Sequence, residues 1–170
     1  KFSTTSLAAT YLREANALYA QGKMKEAMEK MTLAAEEDPS LDVLNEDSDK
    51  RCVALAQQMT MAGSYDLAEQ ILTHYYTRRT QRHGSEDSWE FISLVEAHII
   101  LYKAKEDWHK MLAWSRKGLH LCRKHKSGAT MEMATALSNH GLALGPNAQY
   151  EEAEQCLLEA LSISERLSGP

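Results

Sequence analysis

Gly22-Lys-Met-Lys-Glu-Ala27 recurs along the chain as Gly63-Ser-Tyr-Asp-Leu-Ala68, Glu106-Asp-Trp-His-Lys-Met111 and Ala148-Gln-Tyr-Glu-Glu-Ala153. Each segment reads as a tight turn feeding a helix. Their closing residues, Ala27, Ala68, Met111 and Ala153, stand 41, 43 and 42 residues apart. A period of about 20 to 50 residues is the sign of a solenoid, in which each unit buries its apolar face on its neighbours and the exposed surface holds a partner.

Working outward from these turns, Ala, Leu, Met, Glu, Gln and Lys dominate, and period-two runs of Phe, Val, Ile and Thr are missing. The chain therefore predicts helix almost throughout and gives strands little support. Four hairpins follow: helices over 7–20 and 24–37, 48–62 and 65–82, 87–104 and 107–125, 129–144 and 149–167. The repeats run about 7–39, 48–83, 87–126 and 129–168, in one domain over 1–170. Pro39 closes the second helix, and Ser85 or its neighbouring acids cap the fifth. Gly145-Pro146-Asn147 falls where the seventh helix would finish, so that helix stops early and a longer, stiffer loop leads to Tyr150.

In the first repeat Tyr11, Ala15, Gly22, Ala27, Met31, Ala34 and Pro39 stand in the order large, small, turn, small, large, small, proline. Small residues at Ala15 and Ala27 let two helices approach closely, and Gly22 accepts the sharp turn. This spacing resembles the tetratricopeptide repeat over nearly the whole chain. The run from Tyr150 to Gly169 is similar to the longer repeats of the kinesin light chain type, which also lie near 42 residues. The resemblance implies an all-α, right-handed superhelical solenoid of four antiparallel helix pairs.

Composition agrees. A hydrophobic share of 44% over 170 residues supports a sizeable core, and a net charge of -5 with a pI near 5.8 argues against a general affinity for nucleic acid or anionic lipid. Acids gather from Glu36 to Asp49 and at Glu86, Asp87 and Glu90; bases gather at Arg78, Arg79 and Arg82 and from Arg116 to Lys126. Placed near helix starts and ends respectively, they complement the helix dipole. Cys52, Cys122 and Cys156 form no paired framework, which suits a reducing, cytoplasmic setting or an organelle reached by a removed transit peptide. Lys1 to Ser6 is too short and polar for a signal peptide, no window is long and apolar enough for membrane insertion, and a start on Lys1 suggests a piece of a longer chain.

The resemblance also implies a concave, peptide-holding groove lined by the first helix of each repeat. Carried over by position, its residues are Arg13, Asn16 and Tyr19; Lys50, Val53, Gln57, Thr60 and Met61; Ser93, Glu96, Ile100 and Lys103; and Thr135, Ser138, Asn139 and Leu142. Amides at Asn16, Gln57 and Asn139 offer donor and acceptor to an extended peptide backbone. Met61, Ile100 and Leu142 receive apolar side chains. Arg13, Lys50 and Lys103 against Glu96 leave a modest positive excess, favouring a peptide partner of acidic character. The five-residue clamp by which similar repeats hold chaperone carboxy-terminal carboxylates is not met: Asn16 matches, but Leu12, Ala54, Ser93 and Ala97 occupy the other places.

Catalytic signatures are thin. His120 and His125 point about 140° apart on a helix and lack a tetrahedral ligand set. His98, His109, His120 and His140 spread over separate helices with no Ser or Asp at useful spacing, and Gly63-Ser64 and Gly84-Ser85 lack the lysine of a phosphate loop. Trp89, Trp108 and Trp114 with Tyr102 are expected to fill the third repeat. No enzyme, cofactor or metal is expected. On the last helix Ala153, Leu157, Ala160, Leu161, Ile163 and Leu167, with Leu158 beside them, make a stripe broad enough to be covered on both flanks, by further repeats or another chain. The sequence thus points to an interaction scaffold or adaptor that binds an extended peptide segment. The alternative is a structural subunit that joins an assembly by its convex face and helix ends.

Overall fold

All four quoted segments open on a residue in the left-handed region: Gly22 (φ 73°), Gly63 (φ 76°), Glu106 (φ 58°) and Ala148 (φ 58°). One backbone bond recurs beside each of them, from the N–H of the following residue to a carbonyl five residues back: Lys23 to Leu18, Ser64 to Met59, Asp107 to Tyr102 and Gln149 to Leu144, at 2.8–3.1 Å. This bond satisfies a carbonyl at the end of one helix while the left-handed residue reverses the chain into the next. Ala27, Ala68, Met111 and Ala153 are buried directly after these turns. The 41-, 43- and 42-residue spacing is therefore the spacing of one turn motif.

The structure, a computed structural model, describes residues 7–37 and 46–169. Among them are eight α-helices and no strand: α1 (Leu7–Ala20), α2 (Met24–Glu37), α3 (Glu46–Met61), α4 (Tyr65–His83), α5 (Ile92–Ala104), α6 (Trp108–His125), α7 (Met131–Leu144) and α8 (Tyr150–Ser168). The expected boundaries hold within a few residues except at α5. There Ser88, not Ser85, is the cap: it accepts from the Glu90 N–H and starts a single 3-10 turn, Trp89–Phe91, before the α-helix begins at Ile92. Pro39, Asp38, Asp42 and the Lys1 to Ser6 stretch lie outside the described residues.

The chain divides into two compact units, Lys1–Leu55 and Ala56–Pro170. In the first, α1 and α2 pack as a hairpin through small residues, Ala8 and Ala15 against Ala27 and Ala34, all buried. Lys30 pairs with Glu14 and lies 5.0 Å from the Tyr11 ring centre.

The second unit is built around α5, which packs on α4 and α6; α7 packs on α6, and α8 on α7. Phe91, Leu72, Leu94, Leu101, Met111, Leu121, Leu137 and Leu144 are fully buried in it. Removing any such side chain from water contributes about 1.5–3 kcal/mol. The tryptophans do not fill this interior as expected: Trp89, Trp108 and Trp114 are half-buried at its edge, and only Tyr102 of that set is buried. Trp114 instead stacks on the buried His98, with ring centres 3.6 Å apart and planes 11° off parallel. Val95 and Ile99 of α5 occupy the centre instead, facing Gly118 of α6.

The charge clusters pair with one another. Arg79 bonds Glu90 (3.2 Å), Lys117 bonds Glu86 and the Tyr76 hydroxyl, and Lys124 bonds Asp87 (3.0 Å), so α4 and α6 both hold the segment between α4 and α5. Glu69 of α4 accepts from Tyr102, Lys105 and Lys110 together. Burial raises the pKa of that carboxyl, but the three donors outweigh it and hold it down to about 2.

Gly145-Pro146-Asn147 forms a 3-10 turn after α7. The Asn147 side-chain amide donates to the carbonyls of Trp108 (2.9 Å) and Ala143 (2.7 Å). This departure thus ties the end of α7 to the start of α6.

Candidate functional site

Helix α7 buries Met133, Ala134, Ala136, Leu137, His140, Gly141, Ala143 and Leu144. What it leaves open is Met131 and Glu132 in the first turn and then Thr135, Ser138, Asn139 and Leu142, at intervals of three and four. That is one side of a helix. The same holds on α5, where seven residues are buried and Ser93, Glu96, Ile100 and Lys103 remain half-buried or exposed. The α5 and α7 residues expected from the sequence to line a groove are thus among those their own packing leaves half-buried or exposed.

Both helices seat on α6, and their open sides flank each other. The Cys122 thiol of α6 donates to the Glu132 carbonyl of α7 at 3.7 Å, and Glu132 is near enough to Glu96 of α5 to repel it. Burial first, and this repulsion second, raise the Glu96 carboxyl above its ordinary range. No described residue pairs with Glu96 as an ion. Ile100 (46% exposed) and Leu142 (43%) are the large apolar side chains further along the two stripes.

The remaining expected residues fall elsewhere. Arg13, Asn16 and Lys50 belong to the first unit, all on exposed positions of α1 and α3. Arg13 donates to the Ala9 carbonyl of its own helix at 3.3 Å. Gln57 and Met61 are exposed near the end of α3, Met61 at 89%. Thr60 does not line an open face: it is buried, and its hydroxyl donates to the Ala56 carbonyl at 2.8 Å, a self-contained helix bond. The expected positive excess drew on Arg13 and Lys50. On the open sides of α5 and α7, Lys103 stands alone against Glu96 and Glu132, so no such excess exists there.

Two histidine contacts escaped the sequence. His140 of α7 meets Ser115 of α6 at 3.0 Å through Nδ1, and its Nε2 lies 3.8 Å from Glu152 of α8. This has the residue types of a hydrolytic triad. However, Ser115 is 1% exposed and its hydroxyl donates to the Leu112 carbonyl, so no substrate reaches it. The contact is a polar tie between neighbouring repeats. His120 and His125, expected to diverge, both reach Asp87: His120 its carboxylate at 3.3 Å, His125 its carbonyl at 2.6 Å. Among the described residues no group of His, Cys, Asp or Glu is arranged to hold a metal ion, and no helix is long and apolar enough to cross a membrane.

No family model matches the chain, and no curated protein matches it in sequence. Among solved structures it is similar to BtubC (BKLC) from P. vanneervenii, with a TM-score of 0.66 and 18% identity over 96% of this chain and 65% of that one. The chain thus spans just under two thirds of that protein's length. At this identity the likeness carries the fold alone, an all-α array of helix hairpins.

Proposed function

We propose that this chain is a non-enzymatic protein-interaction module and that the open sides of α5 and α7 hold an extended segment of a protein partner. The observation that carries this reading is the composition of those two stripes. They alternate hydrogen-bonding side chains with single large apolar ones, Ser93, Glu96 and Ile100 on α5 and Thr135, Asn139 and Leu142 on α7, and no described element covers them. The Asn139 amide offers both a donor and an acceptor to a peptide backbone, while Ile100 and Leu142 offer contact to its apolar side chains. Arg13 and Asn16 on α1 and Lys50, Gln57 and Met61 on α3 are proposed to serve partner contacts in the same way, each within its own unit.

The test is selection of peptides from a random display library on the whole chain, followed by anisotropy titration of the best binder. Ile100→Asp and Leu142→Asp lower its affinity about tenfold or more each, as expected of central apolar contacts. Unchanged affinity in both, with helical content intact, overturns the reading.

A second reading, that the chain is a structural subunit held in an assembly by its helix ends, draws on a different observation: large apolar residues on α8 remain exposed, with Leu158 at 58% and Leu161 at 55%.

A further inference from the structure

Helix α8 buries Ala153, Cys156, Ala160 and Ile163 against α7. A further stripe, Tyr150, Glu154, Leu158, Leu161 and Glu165, is exposed and spaced to share one side of the helix, with Leu157, which meets Gly141 of α7, at its border. The repeat shows what kind of element such a side receives. Forty-two residues earlier, Leu112, Ser115, Leu119 and Cys122 of α6 occupy the places of Glu154, Leu157, Leu161 and Ser164. On α6 all four are buried, and α7 lies on them, with His140 against Ser115 and the Glu132 carbonyl against Cys122. The α8 side made by Glu154, Leu157, Leu161 and Ser164 therefore stands where α6 carries a helix, while Leu158 and Glu165 take the places of the exposed Arg116 and Arg123 beside it.

Charge narrows the occupant. Where α6 has Leu112, α8 has Glu154, and Glu165 closes the other end of the leucine patch. No cation among the described residues pairs with either. The helix carries Glu151, Glu152, Glu154, Glu159 and Glu165 against Arg166 alone. A second copy docking α8 on α8 would bring these carboxylates together, which opposes it. We propose that this side of α8 docks an amphipathic helix of a partner protein whose apolar stripe is flanked by lysine or arginine. The inference rests on the structural-subunit reading and is independent of the α5 and α7 stripes.

Two fluorescein-labelled, stapled helical peptides test it on the whole chain: one with a leucine stripe flanked by lysines, its twin with glutamates in their place. Titration by anisotropy at low salt is expected to favour the lysine helix by about fivefold or more, the yield of two exposed ion pairs. Leu158→Glu with Leu161→Glu abolishes binding, and Glu154→Lys with Glu165→Lys transfers the preference to the glutamate helix. These positions are exposed, so the variants retain their helical content, which circular dichroism checks. Equal binding of both helices, or self-association in sedimentation that Leu161→Glu removes, overturns the basic-helix proposal while leaving α8 an assembly surface. No binding of either helix and no self-association overturns both.

Discussion

At four turns the backbone demands a left-handed residue, and at two of them the sequence supplies one poorly suited to it. Gly22 and Gly63 adopt that conformation without a Cβ penalty, whereas Glu106 and Ala148 hold it at φ 58°. Glu106→Gly and Ala148→Gly are therefore expected to stabilise the second unit by about 0.5–1 kcal/mol each, and Gly63→Ala to destabilise it by a similar amount. All three tryptophans lie in that unit, so urea unfolding followed by tryptophan fluorescence reads the changes. A midpoint that falls for Glu106→Gly contradicts the assignment of strain.

His98 makes a second residue-scale case. It is wholly buried, its Nδ1–H donates to the Leu94 carbonyl at 2.7 Å, and its Nε2 has no partner. Burial holds the imidazole down at about 4. In the unfolded chain it takes a proton near its ordinary value of about 6.5. Between these values the unfolded state binds more protons, so stability falls as pH drops from about 6.5 to about 4, by at most about 1.4 kcal/mol per pH unit. Burial lowers His140 too and adds in the same direction. His98→Phe, which keeps a ring against Trp114, flattens the slope of urea midpoint against pH in that window; an unchanged slope counts against His98 as its source.

Between elements, α7 approaches α8 closely at Gly141. A Cβ added at Gly141 would stand 2.8 Å from Leu157 Cγ and 3.1 Å from the Ala153 carbonyl oxygen. Gly141→Ala is expected to destabilise by about 1–3 kcal/mol. Adding Leu157→Ala relieves only part of this, because the Ala153 carbonyl is backbone and cannot move aside. Thermal unfolding of both variants checks it, and full recovery in the double variant would place the clash on the leucine alone. The helices themselves were legible from the sequence because turn, small residue and apolar period all agree at the same positions. The start of α5 was misread since Ser85 and Ser88 both precede acids, and only the 3-10 turn at Trp89 selects Ser88. The contact of Ser115 with His140 spans 25 residues and depends on how α6 crosses α7, which no local pattern encodes.

For the molecule as a whole, the stripes on α5 and α7 were named from the groove positions of the family the sequence resembles, and those side chains are half-buried or exposed. Thr60, carried over in the same way, is buried instead, its hydroxyl satisfied by its own helix. Charge was the least legible quantity. A net charge of -5 conceals acidic and basic runs that neutralise each other around Glu86, Asp87 and Glu90, while Glu96, Glu154 and Glu165 are among the described carboxylates left unpaired. The central claim is that a partner's extended segment lies on α5 and α7. It is tested most directly by methyl nuclear magnetic resonance of the isotope-labelled chain during titration with a library-selected peptide. The account expects the Ile100 and Leu142 methyl signals to shift saturably while Leu158 and Leu161 stay in place. Shifts confined to Leu158 and Leu161, with Ile100 and Leu142 unmoved, would contradict it.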